Sequence, residues 1–341
     1  MTELVLVRAE SEEALVAELA RVVAFLDRVP EVALADVAYT CALKKGPRAL
    51  AVIADDVSGL RARLVSARDR LASGKLARIR DKSGTYYYRE PLIGEGRGKL
   101  AFVYPGVMGF YPDMLRDLAI AFPSCRSAFD ELEEALKDDP SFTPSSFVLP
   151  PAPYYRHDAD IFASGAYAQA LVSTYAANLA LTRLLASTGV EPDGVVGFAG
   201  GDLAATMRSG AVGDLPRPQR IRFISEIYKL VNKAVNHGGF PKVVVLSVLL
   251  RHEGEIDGAV AAFAADKVFL AVDLSPRQKV LAVSTDGADA VAAALSAAGA
   301  RVRSLALDRP FNTPLCASLV PAVRKFADAW IKHDFTCDVY S

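Results

Sequence analysis

One stretch constrains this chain more than any other: Val195-Val196-Gly197-Phe198-Ala199-Gly200-Gly201-Asp202-Leu203-Ala204-Ala205. Two β-branched residues run into a glycine, two more glycines follow within four residues, and a helical run begins at once. A chain reverses that sharply only where side chains are missing, so strand and helix must approach closely across the turn. A buried strand feeding a helix in this way predicts an α/β domain. Residue 199 stands at the tip of the turn. It is an alanine, and a methyl group offers no lone pair and no proton.

Composition bounds the rest. At 341 residues the chain has room for two or three domains, and 52% hydrophobic residues with a mean hydropathy of +0.21 can fill a large core. Thirty-nine Lys and Arg stand against 40 Asp and Glu, a net charge of −1 that gives no electrostatic case for nucleic acid. No contiguous basic run is longer than Lys44-Lys45. Cys41, Cys125, Cys316 and Cys337 form no C-x-x-C pair, and four histidines are scattered without H-E-x-x-H, so neither a disulfide framework nor a metal site is expected. No cofactor motif stands out: Gly197, Gly200 and Gly201 could face a phosphate, but G-x-G-x-x-G is missing. No apolar run reaches about 18 residues, so no membrane span is expected. The acidic start after Met1 lacks a basic leader, and a reducing cytoplasmic location fits.

Periodicity divides the chain into three parts. Residues 1–97 read as a small α+β module: strands at Leu4–Val7, Arg48–Ala54 and Leu76–Arg80, helices at Glu10–Arg28, Leu34–Thr40 and Asp56–Ala72. Within it, residues 81–97 read as a polar linker lying on a neighbour's surface, with Tyr86, Tyr87 and Tyr88 packing against that neighbour. Residues 98–241 and 309–341 read as an α/β core: a fully apolar strand at Leu100–Tyr104, helices at Tyr111–Ala121 and Ser124–Leu136, and a surface loop over 137–158. A long helix at Ile161–Thr188, a strand at Val195-Val196 and helices at Leu203–Gly210 and Arg220–Asn236 follow, and Leu315–Trp330 closes it as a long core helix. Residues 242–308 run strand, helix (Glu255–Ala265), hairpin, helix (Gly287–Gly299), strand, the βαββαβ order of a ferredoxin-like subdomain inserted in the core.

Several segments together resemble a known family. Glu3–Leu15 and Leu34–Thr40 are similar to the linker that joins ketosynthase to acyltransferase in type I polyketide and fatty-acid synthases. Phe102-Val103-Tyr104-Pro105-Gly106 with Tyr111-Pro112-Asp113-Met114 resembles the F-x-F-P-G-Q-G opening of the acyltransferase domain, and Gly189–Gly197 the approach to its G-H-S-x-G-E. Phe311-Asn312-Thr313-Pro314-Leu315 resembles its F-H-S-P block, and Val339-Tyr340-Ser341 the strand after its last helix. The resemblance covers nearly the whole chain. It implies an α/β-hydrolase-like acyltransferase core with an inserted ferredoxin-like subdomain, preceded by a small α+β linker domain. Implied partners are an adjacent ketosynthase and acyl carrier protein.

The family's chemistry uses a serine that attacks a thioester, a histidine base, oxyanion donors that include a glutamine, and an arginine that grips malonyl-type carboxylates. Position by position, this chain carries Ala199 for the serine and Phe198 for the histidine before it. It has Asn312 for the base, Val107 for the glutamine, and a residue near Ile227 for the arginine. Arg220 and Arg222 fall too early, and Lys229 is a poor substitute. Gly197, Phe198, Gly200 and Gly201 remain as scaffold. The resemblance therefore implies a non-catalytic acyltransferase-like domain of a polyketide or polyunsaturated-fatty-acid type synthase, with a structural or carrier-docking role. Two alternatives stay open: an acyl-CoA:acyl-carrier-protein acyltransferase inactivated by an engineered serine-to-alanine change at 199, and a non-covalent acyl-CoA or acyl-carrier binding module. Cys125 and Cys316 read as core fillers, Asp202 as a first-turn helix acid, Asp193 as a turn former, and His157 and His237 as surface residues.

Overall fold

The computed structural model describes residues 2–93, 96–149, 166–237, 239–252, 260, 263 and 267–341. The chain forms two compact units, Met1–Lys99 and Leu100–Ser341.

In the first unit, β1 (Glu3–Ala9), β2 (Arg48–Ala54), β3 (Arg78–Asp81) and β4 (Thr85–Tyr88) make one antiparallel sheet in the order β1-β2-β4-β3. The helices are α1 (Glu12–Arg28), α2 (Leu34–Ala42) and α3 (Val57–Leu71). Side chains at the helix starts satisfy open backbone donors: Ser11 Oγ accepts from Ala14 N–H at 3.1 Å and Asp56 Oδ1 from Gly59 N–H at 2.6 Å. Alternation along the strands sends Val5, Val7, Leu50 and Val52 to one face, where they pack with Leu15, Leu19, Leu60 and Leu64. One expectation fails here. Part of the 81–97 segment is a strand, not a linker: Thr85–Tyr88 is hydrogen-bonded to β2 on one side and β3 on the other. Tyr87 is 1% exposed in the unit's own core, while Tyr86 on the other face is exposed. Three identical residues in a row hide the period of two from a sequence reading.

In the second unit, β5 (Ala101–Tyr104), β6 (Gly194–Gly197) and β11 (Asp338–Tyr340) form a parallel sheet in the order β11-β6-β5. The Leu100–Tyr104 run is apolar without being buried, since Val103 is 67% exposed on this outer strand. The helices α5 (Pro123–Leu136), α7 (Tyr167–Ser187) and α9 (Arg217–His237) pack on one another around Leu132, Tyr175, Phe223 and Tyr228. Buried Glu131 ties all three together, accepting from Arg183 at 2.9 Å and Arg220 at 2.6 Å.

Three helix expectations are corrected. The predicted Tyr111–Ala121 helix is only α4 (Arg116–Ala121), because Asp113 (φ 70°) and Leu115 (φ 61°) take left-handed backbone that a helix cannot include. The 137–158 loop contains α6 (Pro144–Val148), whose Val148 joins the core with Phe142; residues 150–158 lie outside the described residues. Leu315–Trp330 is not one core helix. A 3-10 turn at Pro314–Leu319 gives way to α11 (Val320–Trp330), and only Trp330 of α11 is buried. Pro314 and Pro321 each remove a backbone donor, so the run divides where each new helical turn can start with proline.

The strands β7 (Val243–Leu249), β8 (Val268–Ser275), β9 (Gln278–Ser284) and β10 (Arg301–Leu305) form an antiparallel sheet in the order β10-β7-β9-β8, with α10 (Ala288–Ala297) packed on it. Counted within this subdomain the order is 4-1-3-2, that of a ferredoxin-like βαββαβ unit. Most of the predicted Glu255–Ala265 helix, and residues 161–165 ahead of α7, lie outside the described residues.

Candidate active site

The elbow between β6 and α8 (Asp202–Arg208) is a 3-10 turn over Ala199–Gly201. Ala199 has φ 51°, in the left-handed region that L residues avoid at a cost of roughly 1–2 kcal/mol. The glycines around it are set by backbone approach. A Cβ on Gly197 would lie 2.7 Å from Asp202 Cα, and one on Gly201 would run into the Tyr104 carbonyl, 2.7 Å from its carbon. Facing the elbow is the Gly106-Val107 turn after β5. A Cβ on Gly106 would lie 2.6 Å from Phe198 O, 3.0 Å from Gly200 N and 3.3 Å from the Ala199 methyl.

Hydrogen bonds hold the two turns. Phe198 N–H donates to Tyr104 O at 3.1 Å, Gly201 N–H to Phe198 O at 2.9 Å and Gly109 N–H to Gly106 O at 2.8 Å. Asn178 Nδ2 donates to Pro105 O at 3.0 Å, and Thr182 Oγ1 contacts Tyr104 Oη at 3.1 Å. Sequence reasoning missed this support. Its signal is present: Thr174, Asn178 and Thr182 recur every four residues in the apolar helix α7, one polar stripe on one face. Among the described residues the Val107 and Gly200 amides donate to no acceptor. The site therefore retains two open N–H groups beside a tip that carries only a methyl.

Comparison with known proteins gives the frame. No family model matches the chain. Polyketide synthase GfsA of Streptomyces halstedii is 29% identical over 309 residues, covering 89% of this chain but 4% of that synthase. The acyltransferase domain from module 8 of the salinomycin polyketide synthase superposes with a TM-score of 0.68 at 19% identity, covering 99% of this chain and 74% of that one. A malonyl-transacylase solved with a type II polyketide synthase acyl-carrier protein gives 0.56 at 23% identity, covering 71% of this chain and 74% of that one. The chain has the acyltransferase-domain fold of polyketide synthases.

Within the acyltransferase fold the residues singled out from sequence scatter. The structure brings Ala199 and the Gly106-Val107 turn together. The Val107 side chain points into the core, 3% exposed, so residue 107 offers the site its backbone alone. Ile227 is buried on α9. Asn312 has φ 61° and lines an apolar groove of about 650 Å³ with Cys316, Leu319, Val320 and Val323. Beside it, Tyr167 stacks on Phe311 at 4.5 Å, and burial pushes the Tyr167 hydroxyl up to about 12.

Substitute groups are already engaged. Arg220 is held by Glu131, and Arg222 pairs with Glu226 at 2.7 Å and lies 5.6 Å over the Trp330 ring; Lys229 is exposed. Cys125 Sγ donates to Ala180 O at 3.5 Å and Cys316 Sγ to Pro310 O at 3.2 Å. Burial raises both thiols above their ordinary range, which suppresses the thiolate a nucleophile needs. Asp202 Oδ2 accepts from Ser341 Oγ at 2.9 Å. Asp193 bridges to the start of β5, its carboxylate accepting from Leu100 N–H at 2.7 Å. His157 and the His237 side chain lie outside the described residues. Among the described residues no group of three or more His, Cys, Asp or Glu could hold a metal ion, and no helix is long and apolar enough to cross a membrane.

Proposed function

We propose that this is a non-catalytic acyltransferase-like domain with an architectural role in a polyketide or polyunsaturated-fatty-acid type synthase, beside a ketosynthase and in contact with acyl carrier protein. The observation that carries the reading is Ala199 at φ 51°. The turn keeps the backbone that holds a tip residue out, and the tip has no atom able to attack a thioester carbonyl. Asn312 at the base position cannot carry a proton near neutral pH, and buried Val107 and Ile227 supply no polar side chain. Incubation with malonyl-CoA, acetyl-CoA and longer acyl-CoAs is expected to leave the intact mass unchanged. The Ala199→Ser variant is expected to remain unacylated too, because a serine alone restores one part of four. Acyl loading of that variant would favour an engineered change at 199 in a working acyltransferase, and loading of the unaltered chain would end the reading.

A non-covalent acyl-binding role is the second reading, favoured by the apolar groove beside Asn312. Calorimetric titration with a long-chain acyl-CoA separates it: no heat leaves the architectural role alone.

A further inference from the structure

Helix α11 is anchored at its C-terminal end. Its buried residue Trp330 packs on Phe223 and Phe326, and the indole N–H donates to Glu226 Oε2 at 2.8 Å. The turns ahead of Trp330 stand open to solvent. Val320 is 53% exposed, Val323 44% and Ile331, just past the helix, 44%, with half-buried Ala327 among them. Their spacing along the sequence, i, i+3, i+7 and i+11, puts the four side chains on one stripe. Val320, Val323 and Ala327 form one bank of the apolar groove beside Asn312, and Cys316 and Leu319 of the 3-10 turn form the other. A continuous apolar stripe along a groove is the kind of surface that a partner covers.

Two charges beside the stripe select that partner. Arg324 and Asp328 stand one helical turn apart, and both are exposed. A base ahead of an acid is the weaker order for such a pair, and the two side chains do not join. Among the described residues neither side chain makes a hydrogen bond or an ion pair; only the Asp328 backbone carbonyl is engaged, by Lys332 Nζ. An alkyl chain with an acidic head would meet Arg324 and leave Asp328 beside it without a counter-charge. Any partner of a single sign fails in the same way. A second α11, laid antiparallel across a two-fold axis, satisfies both signs at once. Arg324 of each copy then faces Asp328 of the other, while the two apolar stripes cover one another. Ala327 falls close to that axis, where a small side chain lets two helices approach.

We infer that α11 is a self-association surface, on which a second copy of this chain docks its own α11 antiparallel, with reciprocal Arg324–Asp328 pairs. Three turns of helix bury less than a standard interface, so the association is weak, in the micromolar range. Sedimentation equilibrium of the full chain across that range is expected to show a monomer–dimer equilibrium. Val323→Glu is expected to weaken it at least tenfold, and Lys325→Glu, a charge change off the stripe, less than twofold. The deciding test is a charge swap. Arg324→Asp carries two acids at the seam and Asp328→Arg two bases, so each alone is expected to lose at least tenfold in affinity. Mixed together, with one of them fluorescein-labelled, they are expected to pair with each other to within about threefold of the parent affinity, because every cross-copy contact is again between opposite charges. Thermal melts confirm that each variant is folded. A parent chain that stays monomeric, a mixture that associates no better than either variant alone, or a monomer whose groove takes up long-chain acyl-CoA would each overturn the inference. Acyl loading of the chain bears on the proposed function and leaves this result untouched.

Discussion

Gly200 and Gly201 are neighbours in one turn, yet alanine is expected to act very differently at the two. At Gly201 the new methyl would press on the Tyr104 carbonyl, with the carbonyl carbon only 2.7 Å away and Pro105 O at 3.0 Å. Carbon contacts relax at about 3.5–4.0 Å, so one backbone must retreat by roughly 1 Å. The opposing atoms end β5 and accept from Phe198 N–H, and retreat breaks that bond as well. Overpacking of this kind costs about 1–3 kcal/mol, and a rigid backbone puts Gly201→Ala at the upper end. For a unit of this size each kcal/mol lowers the midpoint by about 2–4 °C, so a fall of about 6–12 °C is expected. At Gly200 the methyl meets the Cδ1 end of Leu171, and the next side-chain atom, Cγ, is 3.7 Å away. A leucine rotamer change clears that contact, so Gly200→Ala is expected to cost about 1 kcal/mol or less. Thermal denaturation of both variants by circular dichroism is the assay. Equal midpoints for the two, or a Gly201→Ala midpoint within 1 °C of the parent, would refute the close strand–helix approach.

Ala199→Gly is expected to raise stability by about 0.5–1 kcal/mol, since relief of left-handed strain exceeds the extra freedom of glycine in the unfolded chain; a urea titration reads it. Glu131→Gln is expected to cost about 3–5 kcal/mol by leaving Arg183 and Arg220 without their shared anion. Burial raises the Glu131 pKa, but the Arg220 and Arg183 hydrogen bonds outweigh it and the net shift is downward from 4.5. A depressed carboxyl stabilises the fold above its unfolded value and loses that contribution as pH falls through the folded value. Midpoints measured below pH 4.5 are therefore expected to fall more steeply for the parent than for Glu131→Gln. Cys316 is expected to react with iodoacetamide at pH 7.5 more slowly than a free cysteine, because burial raises its thiol; peptide mass mapping over time reads the rate.

Much of the fold was legible where burial imposes a period. The β1 and β2 strands alternate apolar and less buried positions, and β7 to β10 fall on the apolar runs that predict them, in a sheet ordered β10-β7-β9-β8. Two of the misses share one cause: neighbours decided what local pattern left open, whereas Pro314 and Pro321 were a local signal that the Leu315–Trp330 run divides. Tyr86, Tyr87 and Tyr88 carry no apolar alternation, and only pairing on both sides makes them a strand. Tyr111–Ala121 has a helical look, but the backbone turns at Asp113 and Leu115 so that Met114 can reach the core. At the candidate site the glycines were legible because a missing side chain is itself a sequence signal. The pinning of Pro105 by Asn178 was not, because it joins residues 73 apart.

The turn and the reaction it would serve are separable demands on the sequence. Gly106, Gly197 and Gly201 are fixed by atoms of their own backbone neighbourhood: Phe198 O, Asp202 Cα and the Tyr104 carbonyl leave no room for a Cβ. None of these constraints refers to the chemistry of residue 199. Residue 199 must only tolerate φ 51°, and alanine does so at a cost small against the stability of a domain. Losing the reactive group therefore leaves the packing of β6, α8 and the Gly106 turn intact, whereas losing any of these three glycines would not. A chain used for its shape would keep the glycines and release position 199, position 312 and the side chain at 107 from chemical duty. The surrounding hydrogen bonds from Phe198, Gly201 and Asn178 are all in place around these glycines.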